Sequence, residues 1–297
     1  MYSYRHAFHA GNHADVLKHT MLVAILKYLT QKDTPLTVVD THAGAGLYRL
    51  DSPAAGTSGE AVDGILKLRQ ASAALENVAP AIADYLELVA HFNKPGHSEI
   101  YPGSPFVIHR LLREGGRDKL KLFEMHPTDA KALAGNIAQL EAGRQISGAR
   151  ADGFESLKAL LPPPSRRALV LIDPSYEIKS DYAKVVAAIQ DSVKRFATGV
   201  YVVWYPIIPR PEAHELPRRL KSATNNAGKP WLHAVLNIGH PPHVTGETPA
   251  RGPGLSASGM FVVNPPHTLK PALAEALPQL VKMLGRGRGQ SHTLESS

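Results

Sequence analysis

The sequence predicts an α/β protein: a doubly wound, mostly parallel sheet of about seven strands with helices on both faces. Three observations carry this. Short apolar runs alternate with stretches of helical length between residues 36 and 284. Two of the runs end in turns that suit the carboxyl edge of such a sheet, where ligands bind. Val38-Val39-Asp40 enters Thr41-His42-Ala43-Gly44-Ala45-Gly46, and Ala168-Leu169-Val170-Leu171-Ile172 enters Asp173-Pro174-Ser175-Tyr176. Finally, the next acid at a strand end after Asp40 is Glu124, 84 residues on, where a dinucleotide fold needs about 20. That gap predicts a helical insertion, residues 50–105, between the first two strands. The sheet domain then comprises residues 1–49 and 106–285, with 286–297 a flexible tail.

The elements follow in order. Asn12 is placed to cap a helix from about His13 to Thr30, with Asp15 in its first turn. Val16, Leu22, Ile25, Leu26 and Leu29 give it a core face. Leu36–Asp40 reads as a buried strand and Gly44–Ser58 as a loop. Helical patterns cover Glu60–Gln70, Ala79–His91 and Pro105–Leu112. Strands at Leu120–Glu124, Gln145–Arg150, Ala168–Ile172 and Val200–Tyr205 alternate with helices at Thr128–Leu140, Gly153–Leu161, Ser180–Ala197 and Pro211–Asn225, the last interrupted by Pro217. Leu232–Ile238 and Met260–Val263 are the last strands, and His267–Leu284 the last helix. The Pro- and Gly-rich segment Gly239–Ser258 reads as an exposed loop.

Composition narrows the function. The chain of 297 residues has 43% apolar residues, enough for a sizeable core, and no cysteine. That excludes disulfides and thiolate metal sites and fits a reducing, cytoplasmic setting. No apolar run is long enough to span a bilayer, and the first residues lack a signal-peptide pattern. Lys and Arg total 33 against 26 acids, a net charge of +7. Such a balance favours a polyanion such as nucleic acid, though it also serves ordinary solubility.

The motifs are sharper. Asp173 and the Pro174 carbonyl can accept hydrogen bonds from an exocyclic amino group, and the Tyr176 ring can stack on a base. Asn264-Pro265-Pro266-His267 is a competitor, but it lacks an aromatic fourth residue and follows the last strand. The glycine turn lets backbone approach a ligand closely. His42 there can touch a cofactor or simply bond backbone. Glu124 can accept both hydroxyls of a ribose or cap a helix before Pro127. Asp152-Gly153 can meet an adenine amino group while Asp152 also caps a helix. Lys18 and His19 can reach a cofactor carboxylate from the first helix. His6, His9, His13 and His19 near Asp15 match no standard metal spacing, and no metal site is expected. One turn suits a cofactor and the other an amino-bearing base, which together suggest methyl transfer to nitrogen.

The segment Tyr4-Arg5-His6-Ala7-Phe8-His9-Ala10-Gly11-Asn12-His13-Ala14-Asp15-Val16-Leu17-Lys18-His19 resembles the N-terminal signature of the RlmJ family, bacterial 23S ribosomal RNA (adenine(2030)-N6)-methyltransferases. Asp40–Gly46, Tyr101-Pro102-Gly103-Ser104-Pro105, Ala151-Asp152-Gly153-Phe154, Lys194–Gly199, Trp204-Tyr205-Pro206 and Ala257–Met260 also match. The resemblance implies a Rossmann-like class I fold that uses S-adenosylmethionine. It implies that Lys18, His19, His42, Ser104, Glu124, Asp152, Gly153 and Asp173 hold this cofactor. It makes Asp173 the catalytic residue, with Pro174 and Tyr176 beside it, and has Tyr4 touch the RNA. The family motif is Asp-Pro-Pro-Tyr, and here Ser175 takes the third place. The partner implied is 23S ribosomal RNA, with no membrane or protein partner and a monomeric state. A DNA adenine-N6 methyltransferase and a catalytically silent RNA-binding relative are the rival readings, with a metal hydrolase on the N-terminal histidines a distant third.

Overall fold

Apolar runs too short for helices form the sheet. The computed structural model describes residues 6–52, 59–115, 117–240 and 254–297. Its strands are β1 (Thr37–Asp40), β2 (Leu47–Arg49), β3 (Ile100–Pro102), β4 (Lys119–Phe123), β5 (Ile146–Ala149), β6 (Ala168–Ile172), β7 (Val200–Pro206), β8 (Trp231–Asn237), β9 (Ala257–Val263) and β10 (Ser291–Ser296). Eight of them make one sheet in the order β10-β8-β9-β7-β6-β1-β4-β5. From β5 to β7 neighbours run parallel. β9 is antiparallel to both β7 and β8, and β10 is antiparallel to β8. β1 and β6 are buried along their whole length, as strands covered on both faces must be.

The helices are α1 (His13–Leu29), α2 (Lys67–Ser72), α3 (Pro80–His91), α4 (Ser104–Leu111), α5 (Pro127–Ala138), α6 (Gly153–Leu160), α7 (Ser180–Arg195), α8 (Pro211–Asn226) and α9 (Leu269–Leu284). They divide the apolar core in two. Leu22 and Ile25 of α1, Ile82 and Tyr85 of α3 and Leu277 of α9 pack in one cluster. Val185 and Ile189 of α7 and Leu216 and Leu220 of α8 pack in the other. Asn12 caps α1, accepting from the backbone N–H groups of Ala14 at 3.0 Å and Asp15 at 2.9 Å.

Three expectations need correction. The sheet has eight strands, not seven, because the tail at 286–297 is not flexible throughout: Ser291–Ser296 pairs with β8, Leu294 opposite Ala234. A lone leucine among polar residues gives no strand signal, and the pairing comes from the edge that β8 would otherwise leave open. The loop at Gly44–Ser58 contains β2, which pairs with β3 across the insertion. The inserted helices share the core of α1 and α9 rather than closing one of their own. Pro217 lies inside α8, which continues past it. Most of the expected loop Gly239–Ser258 falls outside the described residues.

Candidate active site

Strand register builds the site. Asp40 at the end of β1 lies opposite Leu122 of β4 and Leu171 of β6. Glu124 and Asp173, each two residues further along, therefore emerge at the same carboxyl edge. Val203 of β7 lies opposite Ile172, which sets Trp204 level with Asp173. A cleft of about 520 Å³ opens over this edge, and Lys18, His19, His42, Ser104, Glu124, Asp152, Gly153, Asp173, Pro174 and Tyr176 all border it. Tyr4 lies outside the described residues.

The glycine turn forms one wall. Gly44 and Gly46 have φ of 59° and 81°, values that need no Cβ. The Gly44 N–H donates to Glu124 Oε2 at 2.8 Å, and the His126 N–H to Oε1 at 2.7 Å. His126, not Glu124, caps α5, and burial pushes the Glu124 carboxyl up. Asp152 caps α6 through Oδ1, 2.8 Å from the Phe154 nitrogen. A Cβ on Gly153 would collide with the Thr41 backbone, so glycine is what lets α6 start against the turn. His42 meets the Phe154 ring edge-on at 4.9 Å, and burial lowers its pKa to about 4. Asp40 is fully buried, and desolvation raises it to about 7.

Helix α1 forms the other wall. The Lys18 ammonium donates to Asp173 Oδ2 at 2.6 Å and pairs with Asp15 Oδ1 at 2.8 Å. Asp15 Oδ2 in turn meets His6 Nε2 and the Gly11 N–H, each at 2.9 Å. Burial would push the Lys18 amine down, but the two carboxylates outweigh it and hold its pKa well above the usual value. Burial would likewise raise the Asp15 carboxyl, but His6 and Lys18 hold it well below the ordinary range. Lys18, expected to reach a cofactor carboxylate, thus has its charge committed to Asp15 and Asp173. His19 is fully buried beside it, with Nδ1 2.7 Å from the Tyr101 hydroxyl.

The loop after β6 is fixed at several points. Tyr176 takes a left-handed φ of 55° and is 2% exposed. Its hydroxyl donates to the Trp204 carbonyl at 2.7 Å, Tyr182 packs 4.6 Å from its ring, and Arg210 donates to its own carbonyl at 3.1 Å. The expected open stacking platform is therefore an enclosed wall. These anchors also stiffen the loop where Ser175, which is exposed, replaces a proline.

Sequence reasoning passed over Trp204. It borders the cleft, Lys18 Nζ sits 5.8 Å from its ring centre, and its buried Nε1 has no hydrogen-bond partner among the described residues. Its place at a strand end beside Asp173 was the available signal. The four N-terminal histidines separate onto different partners: Asp15, Glu60, the Leu255 carbonyl and Tyr101. Among the described residues no group of three or more His, Asp or Glu is arranged to hold a metal, and no helix is long and apolar enough to cross a membrane.

Comparison with known proteins agrees with this architecture. A family model described as ribosomal RNA large subunit methyltransferase D, RlmJ, matches residues 33–294. Two proteins named ribosomal RNA large subunit methyltransferase J are similar over nearly the whole chain. The one from Escherichia coli is 41% identical and covers 98% of this chain and 97% of its own. The one from Haemophilus influenzae is 39% identical, covering 96% and 94%. A Legionella pneumophila protein of known crystal structure superposes with a TM-score of 0.82 at 31% identity, covering 97% of this chain and 98% of its own. Fold and cleft are those of a Rossmann-like methyltransferase. Within that class the chain belongs to the RlmJ family of ribosomal RNA large-subunit methyltransferases.

Proposed function

We propose that the protein methylates N6 of an adenine in 23S ribosomal RNA with S-adenosylmethionine as donor. The observation that carries this is Asp173, at the end of a central strand, sharing one cleft with Glu124 and Asp152. The residues present fit the cofactor. Glu124, fixed by two backbone donors, has lone pairs left for ribose hydroxyls. Asp152 is placed for an amino group, and the buried His19 Nε2 awaits a partner.

Bound S-adenosylmethionine supplies an electrophilic sulfonium methyl. The protein supplies position and electrostatics. Lys18 holds Asp173 Oδ2, which leaves Oδ1 to accept one N6 hydrogen while the Pro174 carbonyl accepts the other. These bonds draw the nitrogen lone pair out of the ring and towards the methyl. The N–CH₃ bond forms as the S–CH₃ bond breaks, and the displaced amino proton leaves through Asp173 to solvent. The target base leaves its stack and lies against Tyr176 and Trp204. Cytoplasm is where this substrate would be met.

The test is labelled methyl transfer to 23S RNA lacking the modification, with the product mapped. Asp173→Ala should lower turnover by about 10²–10⁴-fold and keep S-adenosylhomocysteine binding. Label on DNA alone, or near-normal turnover in that variant, would refute the reading.

A further inference from the structure

Two neutral histidines face the cleft from opposite walls, and their partners dictate where each carries its proton. His19 Nδ1 lies 2.7 Å from the Tyr101 hydroxyl, which lies 3.0 Å from the Tyr85 hydroxyl. All three residues are fully buried, and the His19 Nε2 has no partner among the described residues. Burial lowers the His19 pKa to about 3 and raises both phenols, so the chain holds three protons. A proton on Nδ1 would point each bond towards Tyr85 and strand the Tyr85 proton without an acceptor. The reverse direction, Tyr85 to Tyr101 to Nδ1, satisfies both hydroxyls and leaves the imidazole proton on Nε2.

His42 is the opposite case. The single proton of the Thr41 hydroxyl goes to the Leu171 carbonyl, 2.9 Å away. The same oxygen lies 2.8 Å from His42 Nδ1. It has no second proton to give, so His42 Nδ1 donates to it and Nε2 is left bare.

We propose that Tyr101, backed by Tyr85, and Thr41 are positioning residues that lock His19 and His42 in opposite tautomers, so that the cleft meets its ligand with an N–H donor at His19 and a nitrogen acceptor at His42. A ligand carrying both a carboxylate and an amine fits this pair. His19 donates to the carboxylate, a task that Lys18, committed to Asp15 and Asp173, does not have to meet. The ligand assignment rests on the proposed cofactor, but the tautomers do not.

Histidine ¹⁵N NMR of the ligand-free protein reads the tautomers directly. The proton should sit on Nε2 of His19 and on Nδ1 of His42; finding either on the other nitrogen overturns the lock. Calorimetry then separates the roles. Tyr101→Phe keeps the ring that stacks on His19 and should weaken S-adenosylhomocysteine binding about tenfold. It should leave 5′-methylthioadenosine, which lacks the amino-acid end, unchanged. Tyr85→Phe is the milder second variant and should keep the proton on Nε2. Equal loss for both ligands, or none, overturns the positioning role. A wild-type protein that binds neither ligand overturns the cofactor reading and leaves the NMR result to decide the lock.

Discussion

Helices α1 and α7 both cover the sheet, yet they solve the burial problem differently. Helix α7 is an ordinary surface helix: Val185, Val186 and Ile189 face the core, while Lys184 stays half exposed and pairs loosely with Asp181 at 3.4 Å. Helix α1 is buried on nearly every side, and its polar residues His13, Asp15, Lys18, His19 and Thr20 are buried with its leucines. A charge inside a protein must find a partner or lose its charge. Asp15 and Lys18 found partners in His6 and Asp173, whereas His13 and His19 stay neutral. Demands that α7 leaves to solvent are thus what make α1 a wall of the site.

The contrast breaks most sharply at its two lysines. Lys18→Met would leave Asp15 a buried, poorly compensated charge, and chemical denaturation should show a loss of about 3–5 kcal/mol. The matching Lys184→Met on α7 should cost no more than about 1 kcal/mol. Equal losses would show that α1 is no more than a covering helix.

Next comes Asp40, whose folded pKa of about 7 lies above the unfolded 3.8. Its native form keeps a proton that the unfolded chain releases between these values, so this group's contribution falls as pH rises through that window. Asp40→Asn should remove the penalty. Its advantage over wild type should grow from pH 4 to pH 7, by about 1.4 kcal/mol per pH unit, and then level off. A constant difference across that range would assign Asp40 no buried charge.

The buried histidines act in the other direction. His13, His42 and His233 are held near 4 and His19 near 3, against 6.5 unfolded. Stability from these groups is complete above pH 6.5 and is lost as pH falls towards their folded values, because the unfolded chain then binds more protons. Thermal melts from pH 7 to pH 4.5 should show Tm falling with net proton uptake on unfolding. Replacing His13 with Phe should flatten the slope, and no change at α7 should.

The smallest effect belongs to Ser175→Pro. Tyr176 is already pinned through Trp204 and Arg210, so a second proline should alter stability by less than about 1 kcal/mol and leave cofactor affinity unchanged. A large gain in turnover would show that the loop is looser than its hydrogen bonds imply.

Much of the site could be read along the chain because a strand running into a special turn is a local pattern. Asp40 to Gly46, Glu124, Asp152 with Gly153, and Asp173 to Tyr176 are each such a pattern, and a parallel sheet gathers strand ends at one edge. Trp204 was legible only as a strand end, without a role. The enclosure of Tyr176 was not legible, because Tyr182 and Trp204 close around it from other elements. Strand β10 was hidden for the same reason: its signal is the partner strand, not its own residues.

By itself, then, the sequence determined the alternation that makes the sheet, the cap at Asn12 and the acids at the carboxyl edge, since these depend on neighbours a few residues apart. Tertiary structure alone decided that Lys18 meets Asp173 from 155 residues away and that His19 meets Tyr101 from 82. No local periodicity encodes the partner of a buried polar group. That partner is chosen when the helix is enclosed and its charges and protons must be satisfied within reach.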